Sequence, residues 1–473
     1  MRKHTCKLLS CTGTFGLLLA NNTGKPKTGL QSRRKLFTMK KIYGLIIGLF
    51  FLTMNTLQAQ INVEITYPAQ QSGQYNYYGV KVTIDQALDR DITVNGYVYD
   101  DGSPNTNHPF SLTITQGSQT AETEWNFYQT CPACGAAASL STISATYAGA
   151  AVVFDIQANM LKFNNIGDVS AVLNQLDVDH ETYNANYESQ YPNLTADQLD
   201  AMDEQNNFDQ FKPFKDFERL FSGFYSKRAE VENIEIAWLA NNFTGADPDE
   251  TDLTFDDALN TIFNGSNSFK IGNSVYQLTA SGMYIDGVLN EDVGTIALKA
   301  YDFGSNSLAN TNYSIFSFAP IYNGPSYSFM PYGFEESLVT PCKSNKRKDA
   351  EPEFDNGNKR VKYKVSITSV AFRSGVGGKV VYYKKKNGNW KNARTDMAVS
   401  CAGTVYNGNC ATSFQFSDRK PDTGYKKRNR ISTRRHSEDV IPTNNNIWKA
   451  FSNQIGMSFD LSGLVTGNLA LTF

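Results

Sequence analysis

Residues 92–98, Ile92-Thr93-Val94-Asn95-Gly96-Tyr97-Val98, alternate between apolar and polar positions. A strand turns successive side chains to opposite faces, so this alternation reads as a β-strand with one buried face. The pattern recurs on both sides, in Ile61-Asn62-Val63-Glu64-Ile65, in Val80 to Ile84, and in Phe110, Leu112 and Ile114 ahead of the turn Gln116-Gly117-Ser118. Trp125, Ile143 and Tyr147 fall in later segments of the same kind. About seven short strands in roughly 95 residues predict an immunoglobulin-like β-sandwich over 60–157. The Cys-Trp-Cys spacing of true immunoglobulin domains is absent, so the expectation concerns architecture alone.

The period then changes. After Asn164, Asp168 is placed to cap a helix carrying Val169, Val172, Leu173 and Leu176 at helical spacing. Thr195-Ala196-Asp197-Gln198 is a capping box ahead of Leu199 and Met202. Phe211, Phe214, Phe217, Leu220, Phe221 and Phe224 form an aromatic stripe, with Pro213 tolerable in a first turn. Val231, Ile234 and Trp238 predict a further helix, and Thr254 to Phe263 a short last one. This is an acidic helical domain over 158–265. Strands return from Phe269 to Leu278 as a hairpin, within a β-hairpin and aromatic segment over 266–340. Residues 341–358 read as a polar linker. Residues 359–473 read as a basic β domain, with Val361–Phe372 and Lys379–Lys386 as strands and Asn387-Gly388 as a hairpin turn. The fold class expected is multidomain and mainly β.

Met39 to Ala59 has the layout of a bacterial signal peptide: Lys40 and Lys41, an apolar core from Ile42 to Met54, and Leu57-Gln58-Ala59 as cleavage site. Residues 1–38 then read as an over-called start, and the chain from Gln60 as exported to the periplasm, cell surface or medium. No later apolar run approaches the ~20 residues of a membrane-spanning helix. Export permits disulfides. Cys131 with Cys134 and Cys401 with Cys410 are the closest pairs, leaving Cys342 over.

Charge is divided along the chain. Residues 60–340 hold 10 Lys+Arg against 36 Asp+Glu, a balance of −26, whereas residues 341–473 hold 24 against 10, a balance of +14. The switch marks a boundary and gives the C-terminal part a distinct partner. Three basic clusters stand out: Lys343, Lys346, Arg347 and Lys348; Lys384, Lys385 and Lys386; and Lys426, Lys427, Arg428, Arg430, Arg434 and Arg435. Tyr363, Tyr382, Tyr383, Trp390 and Tyr425 are interleaved with them. The candidate ligand contacts are Lys384, Lys385, Lys386, Trp390, Lys426, Lys427, Arg428 and Tyr382. Such a surface attracts polyanions at long range, and for an exported protein these are acidic polysaccharide, lipopolysaccharide or extracellular DNA. Two other uses fit the same residues: a solvated strand edge protected by lysine, and a contact with the protein's own acidic part.

The catalytic signals are weaker. Cys131-Pro132-Ala133-Cys134 lacks the following His of a haem site and falls between expected strands, which favours a structural disulfide. Asp247, Asp249, Glu250, Asp252, Asp256 and Asp257 resemble a calcium loop, yet loop positions 6 and 12 would be Asp252 and Ala258 where Gly and Glu are required. Ser374 to Val380 resembles a phosphate-binding loop, but Arg373 and Val380 break the motif, and the segment reads as a turn. No Ser-His-Asp set can be nominated, and no cofactor is expected. The aromatic run from Tyr313 to Phe334 fits inter-domain packing or a carbohydrate platform.

Ile236-Ala237-Trp238-Leu239, Ile271-Gly272-Asn273-Ser274-Val275-Tyr276, and Val380 to Lys386 with Trp390 resemble uncharacterised exported proteins of Bacteroidetes-type bacteria. That resemblance implies export and transfers no functional residue. The function expected is an exported, non-catalytic binding or adhesion protein that engages polyanions or glycans through its basic C-terminal domain. The alternatives are an extracellular hydrolase acting on polymer and a structural surface component.

Overall fold

The structure, a computed structural model, describes residues 60–67, 76–99, 107–129, 136–254, 256–279, 282–289, 347–350, 353–354, 357–370, 373–407, 413–436 and 448–471. The signal-like segment, Cys131, Cys134, Cys342, Cys410 and the aromatic run 313–334 lie outside these residues. The described residues fall in one compact unit. It is mainly β, with several sheets and a helical layer.

The first sheet joins β1 (Ile61–Thr66), β2 (Asn76–Ile84) and β5 (Thr120–Glu122), with β6 (Phe127–Gln129) also paired to β2. The second sheet begins with β4 (Asn107–Ile114), β3 (Ile92–Tyr99), β7 (Ala137–Tyr147), β8 (Ala150–Asp155) and β9 (Met160–Phe163). It continues without a break into β10 (Ser268–Ile271), β11 (Ser274–Thr279), β12 (Gly282–Ile285) and β13 (Val288–Leu289). The joint is a parallel pairing of β9 with β10, Lys270 opposite Lys162. The boundary expected at residue 157 is therefore spanned by one sheet, because the helical segment is an insertion between two neighbouring strands. The alternation read in 92–98 is real: Ile92, Val94 and Val98 are buried and Tyr97 is exposed.

The helices are α1 (Ile166–Ser189), α2 (Ala196–Asn206), α3 (Lys212–Arg219), α4 (Lys227–Ala240), α5 (Pro248–Thr251) and α6 (Asp257–Ile262). The first starts earlier than expected: Asn165 is its cap and takes the amide of Asp168 at 3.0 Å, which leaves Asp168 in the first turn. The Thr195–Gln198 box forms in both directions, at 2.9 and 3.3 Å. Asp256 caps α6, accepting from the Leu259 amide at 3.1 Å. The phenylalanine stripe packs onto the second sheet, with Phe217 4.9 Å from Tyr147 and Phe224 5.6 Å from Phe154, ring to ring. One apolar core thus joins both N-terminal sheets to the helices.

The C-terminal part holds two further sheets around a second core. One comprises β14 (Arg347–Ala350), β15 (Glu353–Phe354), β16 (Lys359–Val370), β17 (Arg373–Lys386), β18 (Asn389–Asn392) and β22 (Arg430–His436). The other comprises β19 (Thr395–Asn407), β20 (Ser413–Lys420), β21 (Lys426–Arg428), β23 (Trp448–Leu461) and β24 (Val465–Leu471). Two expectations change here. The supposed linker carries β14 and β15, both paired to β16. Ser374 to Val380 is the start of a long strand rather than a turn: a Cβ on Gly377 would lie 2.0 Å from the Thr433 carbonyl oxygen, so glycine permits close strand approach. Asn387-Gly388 does turn the β17–β18 hairpin, both at positive φ (51° and 83°). Cys401 is a buried free thiol opposite Met457 in the second core, and its candidate partner Cys410 lies outside the described residues. Burial pushes its pKa up to about 12, with Asp418 adding to the shift.

Candidate functional site

The basic clusters meet the acidic helices. Alternation along β16, β17 and β22 sorts one face from the other. Val361, Val365, Val376, Val380, Tyr382 and Ile431 point into the second core. Arg360, Lys362, Lys364, Lys379, Val381, Tyr383 and Arg430 occupy the opposite parity, in register across the three strands, and face the helical layer.

The centre of this contact is apolar. Trp238 and Leu239 of α4 pack with Phe243, Val381, Tyr383 and Trp390. Phe243 lies 4.6 Å from Trp238 and 4.9 Å from Trp390, edge to face in each case. The Arg360 guanidinium lies 4.2 Å over the Phe243 ring, and the Lys362 ammonium 4.4 Å over Trp238. Aromatic rings with stacked cations pack tightly without leaving charge in an apolar hole.

Ion pairs surround that centre. Lys362 reaches Asp247 at 2.8 Å and Asp249 at 2.9 Å, and Lys364 contacts Asp249. Arg430 pairs with Glu235 at 2.9 Å, and the Tyr383 hydroxyl donates to the other Glu235 oxygen at 3.2 Å. Arg434 meets Asp256 at 3.3 Å and Lys379 meets Asp257 at 3.5 Å. Of the carboxylates that looked like a calcium loop, Asp247, Asp249, Asp256 and Asp257 are therefore counter-ions of a sheet. Among the described residues no set of three or more metal-ligating side chains is grouped for a metal.

A second row follows α1 and α2. Arg394 pairs with Asp203 at 2.5 Å and with Glu188 at 3.3 Å; Arg428 pairs with Glu188 at 2.8 Å and Glu181 at 3.3 Å. Lys384 meets Asp197 at 2.9 Å, Lys386 contacts Asp200 and Glu204, and Lys426 reaches Glu181 at 3.5 Å. Helical spacing of 197, 200 and 204 puts these acids on one face.

The electrostatics follow. Burial would raise the pKa of Glu181, but Lys420, Arg428 and Lys426 outweigh it and hold the carboxyl down at about 2. Burial likewise opposes ionisation of Glu235 and Asp257, and Arg430 and Lys379 reverse it, so both stay low. Burial lowers Lys364, with Lys379 adding to the shift and Asp249 resisting it. Beside them, His180 stacks on Phe214 at 4.8 Å, its Nε2 buried without a hydrogen bond, and burial pushes it down to about 4.

The nominated ligand residues are thus placed. Tyr382 is buried in the second core, Trp390 in the aromatic centre, and Arg428 in ion pairs. Lys384, Lys386 and Lys426 pair with the helices. Lys427 sits opposite Asp396, its carbonyl accepting from Arg394 at 2.6 Å. Lys385, whose ammonium lies 5.7 Å over the Trp390 ring centroid, is the exposed member. The expected open polyanion face is an intramolecular contact here, because the acidic helices supply the counter-charge. Sequence reading missed Arg360, Lys362, Lys364 and Arg394, though the period-two cations at 360, 362 and 364 were a usable signal.

A cavity of about 40 Å³ lies within the inner charged group, lined among others by Glu235, Asp249, Asp252, Lys362, Lys364 and Tyr383. It has room for water and none for a polymer. Among the described residues no helix is long and apolar enough to cross a membrane.

No family model matches the chain, and no curated protein matches it. Among solved structures, a crystal structure of a DUF4848 family protein from Bacteroides thetaiotaomicron aligns over 68% of this chain and all of that one, at 9% identity and a TM-score of 0.14. A likeness at that level assigns neither fold nor function.

Proposed function

We propose that this is an exported, non-catalytic binding or adhesion protein, and that its ligand face is the tyrosine-rich end of an immunoglobulin-like pair of N-terminal sheets. The ligand class is neutral polysaccharide. One observation carries the reading. At the end where Asn76 pairs with Gln129 and Tyr99 with Asn107 and Ala137, the described residues 65–67, 76–79, 97–99, 107–110 and 127–129 include no Asp, Glu, Lys or Arg, and in sequence Asp100 and Asp101 come directly after Tyr99. There Tyr67 and Tyr77 are each 48% exposed, and Tyr77 stands edge to face with Tyr128 at 5.7 Å.

Tyrosine offers an apolar ring and a polar tip, which suits a ligand with apolar ring faces and many hydroxyls. A charged ligand would find no counter-ion among these residues, and its desolvation would go uncompensated. The basic C-terminal face, by contrast, already has carboxylate partners. The signal-like layout of 39–59 supports export. The ionic contact between helices and C-terminal sheets favours a second reading, a structural surface component, in which rigidity is the function.

Retention of the full chain on insoluble neutral polysaccharide and on heparin resin, across a salt series, tests this. Tyr77→Ala with Tyr128→Ala is expected to abolish salt-insensitive retention on the neutral polymer, and Lys384→Gln with Lys386→Gln to leave it unchanged. Salt-sensitive retention on heparin alone would return the function to the basic face. Retention on neither would leave the structural reading.

A further inference from the structure

We propose that Lys364 and Asp249 are joined, in the mature protein, by an intramolecular isopeptide bond that covalently ties the helical layer to the C-terminal sheet. Both side chains are buried, at 4% and 8% exposure, and Lys364 Nζ is in contact with Asp249 Oδ1. The residues are 115 apart in sequence, one on β16 and one on α5.

The surroundings fit the chemistry. The second oxygen of Asp249, Oδ2, lies 2.9 Å from the Lys362 ammonium, which is itself held by both oxygens of Asp247 at 2.8 and 3.0 Å. Lys362 therefore remains a cation aimed at the oxygen on which negative charge develops when Asp249 Cγ becomes tetrahedral. Lys364 is the lysine of the pair whose ammonium is disfavoured by burial and by Lys379. Asp252, 2% exposed, lines the same cavity and acts electrostatically on Lys364. Its Oδ1 accepts from the Thr254 amide at 3.1 Å and from Asn260 Nδ2 at 2.7 Å, and its other oxygen is assigned to take the amine's proton. Val231, Pro248 and Val381 form apolar parts of the walls, and Glu235, Asp257, Lys379, Tyr383 and Arg430 the polar remainder.

The step balances without an external reagent. The Lys364 ammonium gives up a proton, and its lone pair forms the C–N bond at Asp249 Cγ. The C–Oδ1 bond breaks, and Oδ1 leaves as water with two of the former ammonium protons. An ammonium and a carboxylate become one neutral amide and one water. The cavity of about 40 Å³ beside them can receive that water. Held reactants reach effective concentrations on the order of 10⁵–10⁸ M, and exclusion of bulk water holds back hydrolysis. Replacing a buried ion pair by a neutral amide also removes the desolvation penalty of two charges.

The test is mass spectrometry of the folded full chain, denatured after purification. The expected mass is one water below that of the processed sequence, and the proteolytic map should contain a branched peptide joining the segments around Asp249 and Lys364. Lys364→Arg, which keeps the cation but cannot form the amide, should restore the full mass and both separate peptides. Cyclisation of an N-terminal Gln60 would remove ammonia rather than water and leave no branched peptide. Recovery of the two unmodified peptides from folded wild-type protein would overturn the proposal, as would a water loss that persists in Lys364→Arg. Neither result depends on ligand binding, so the outcome is separate from that of the polysaccharide experiment.

Discussion

Arg430 of β22 and Glu235 of α4 meet at 2.9 Å, Nη2 to Oε2, with both side chains largely withdrawn from water. The Tyr383 hydroxyl donates to the same carboxylate at 3.2 Å, and the pair joins a chain region of balance −26 to one of +14. Buried ions of opposite sign tolerate loss of both partners better than loss of one, since a single deletion strands a charge.

Glu235→Ala is accordingly expected to destabilise by about 3–5 kcal/mol. Glu235→Leu combined with Arg430→Met should recover most of that loss. Urea denaturation of the single and double variants measures the coupling, and strictly additive losses would show that the two side chains act independently.

The outer pairs should behave differently. Lys391 and Glu204 lie 3.3 Å apart with each side chain 54% exposed. Lys391→Gln should change stability by less than about 1 kcal/mol, and by less still at high salt. Denaturation midpoints in dilute and concentrated NaCl provide the check.

His180 sets a pH dependence. Its pKa is about 4 in the folded protein against an ordinary 6.5. Asp257 and Glu181 favour its protonation, while burial, Arg428 and Lys420 oppose it. Between those values the unfolded chain binds a proton that the folded chain does not. Stability is therefore fullest above pH 6.5 and falls as pH drops toward 4, by at most about 3 kcal/mol. His180→Gln should flatten the difference between midpoints at pH 7.5 and 4.5. Glu181, held at about 2 against an ordinary 4.5, keeps its full contribution above pH 4.5 and loses it as pH falls from there toward 2.

Gly378 faces the second core, where an added Cβ would come within 3.0 Å of Met457 Cβ and Cε. Gly378→Ala should cost about 1–3 kcal/mol through overpacking. Met457→Ala in the same chain should remove the Cε and Sδ contacts and leave only the one to Cβ, recovering part of that loss while opening a void. Thermal denaturation of the three variants distinguishes steric conflict from a general intolerance of the strand.

Much of this architecture was readable from local pattern. Period two in 92–98, the reciprocal box at Thr195 and Gln198, the phenylalanine stripe and the Asn387-Gly388 turn each depend on a few neighbouring residues, and each forms as expected. Errors arose where distant chain decides. The parallel pairing of Lys270 with Lys162 makes one sheet of two segments more than 100 residues apart, which no local period encodes. Gly377 reads as a turn until the Thr433 carbonyl packed against it is known. Charge balance showed that the two halves complement each other, yet not which cations are buried: the prominent Lys384–Lys386 run lies at the margin, while Lys362 and Lys364, spaced by single residues on one strand face, lie inside.

The central claim is that the acidic helices and the basic sheet are one cooperative unit. Hydrogen exchange of the full chain, read separately over 227–240 and 426–436 in wild type and in Glu235→Lys, tests it most directly. The account predicts that the substitution speeds exchange in both segments together, because it places a third cation beside Arg430 and Lys379. Faster exchange confined to 227–240, with 426–436 still protected as in wild type, would contradict it.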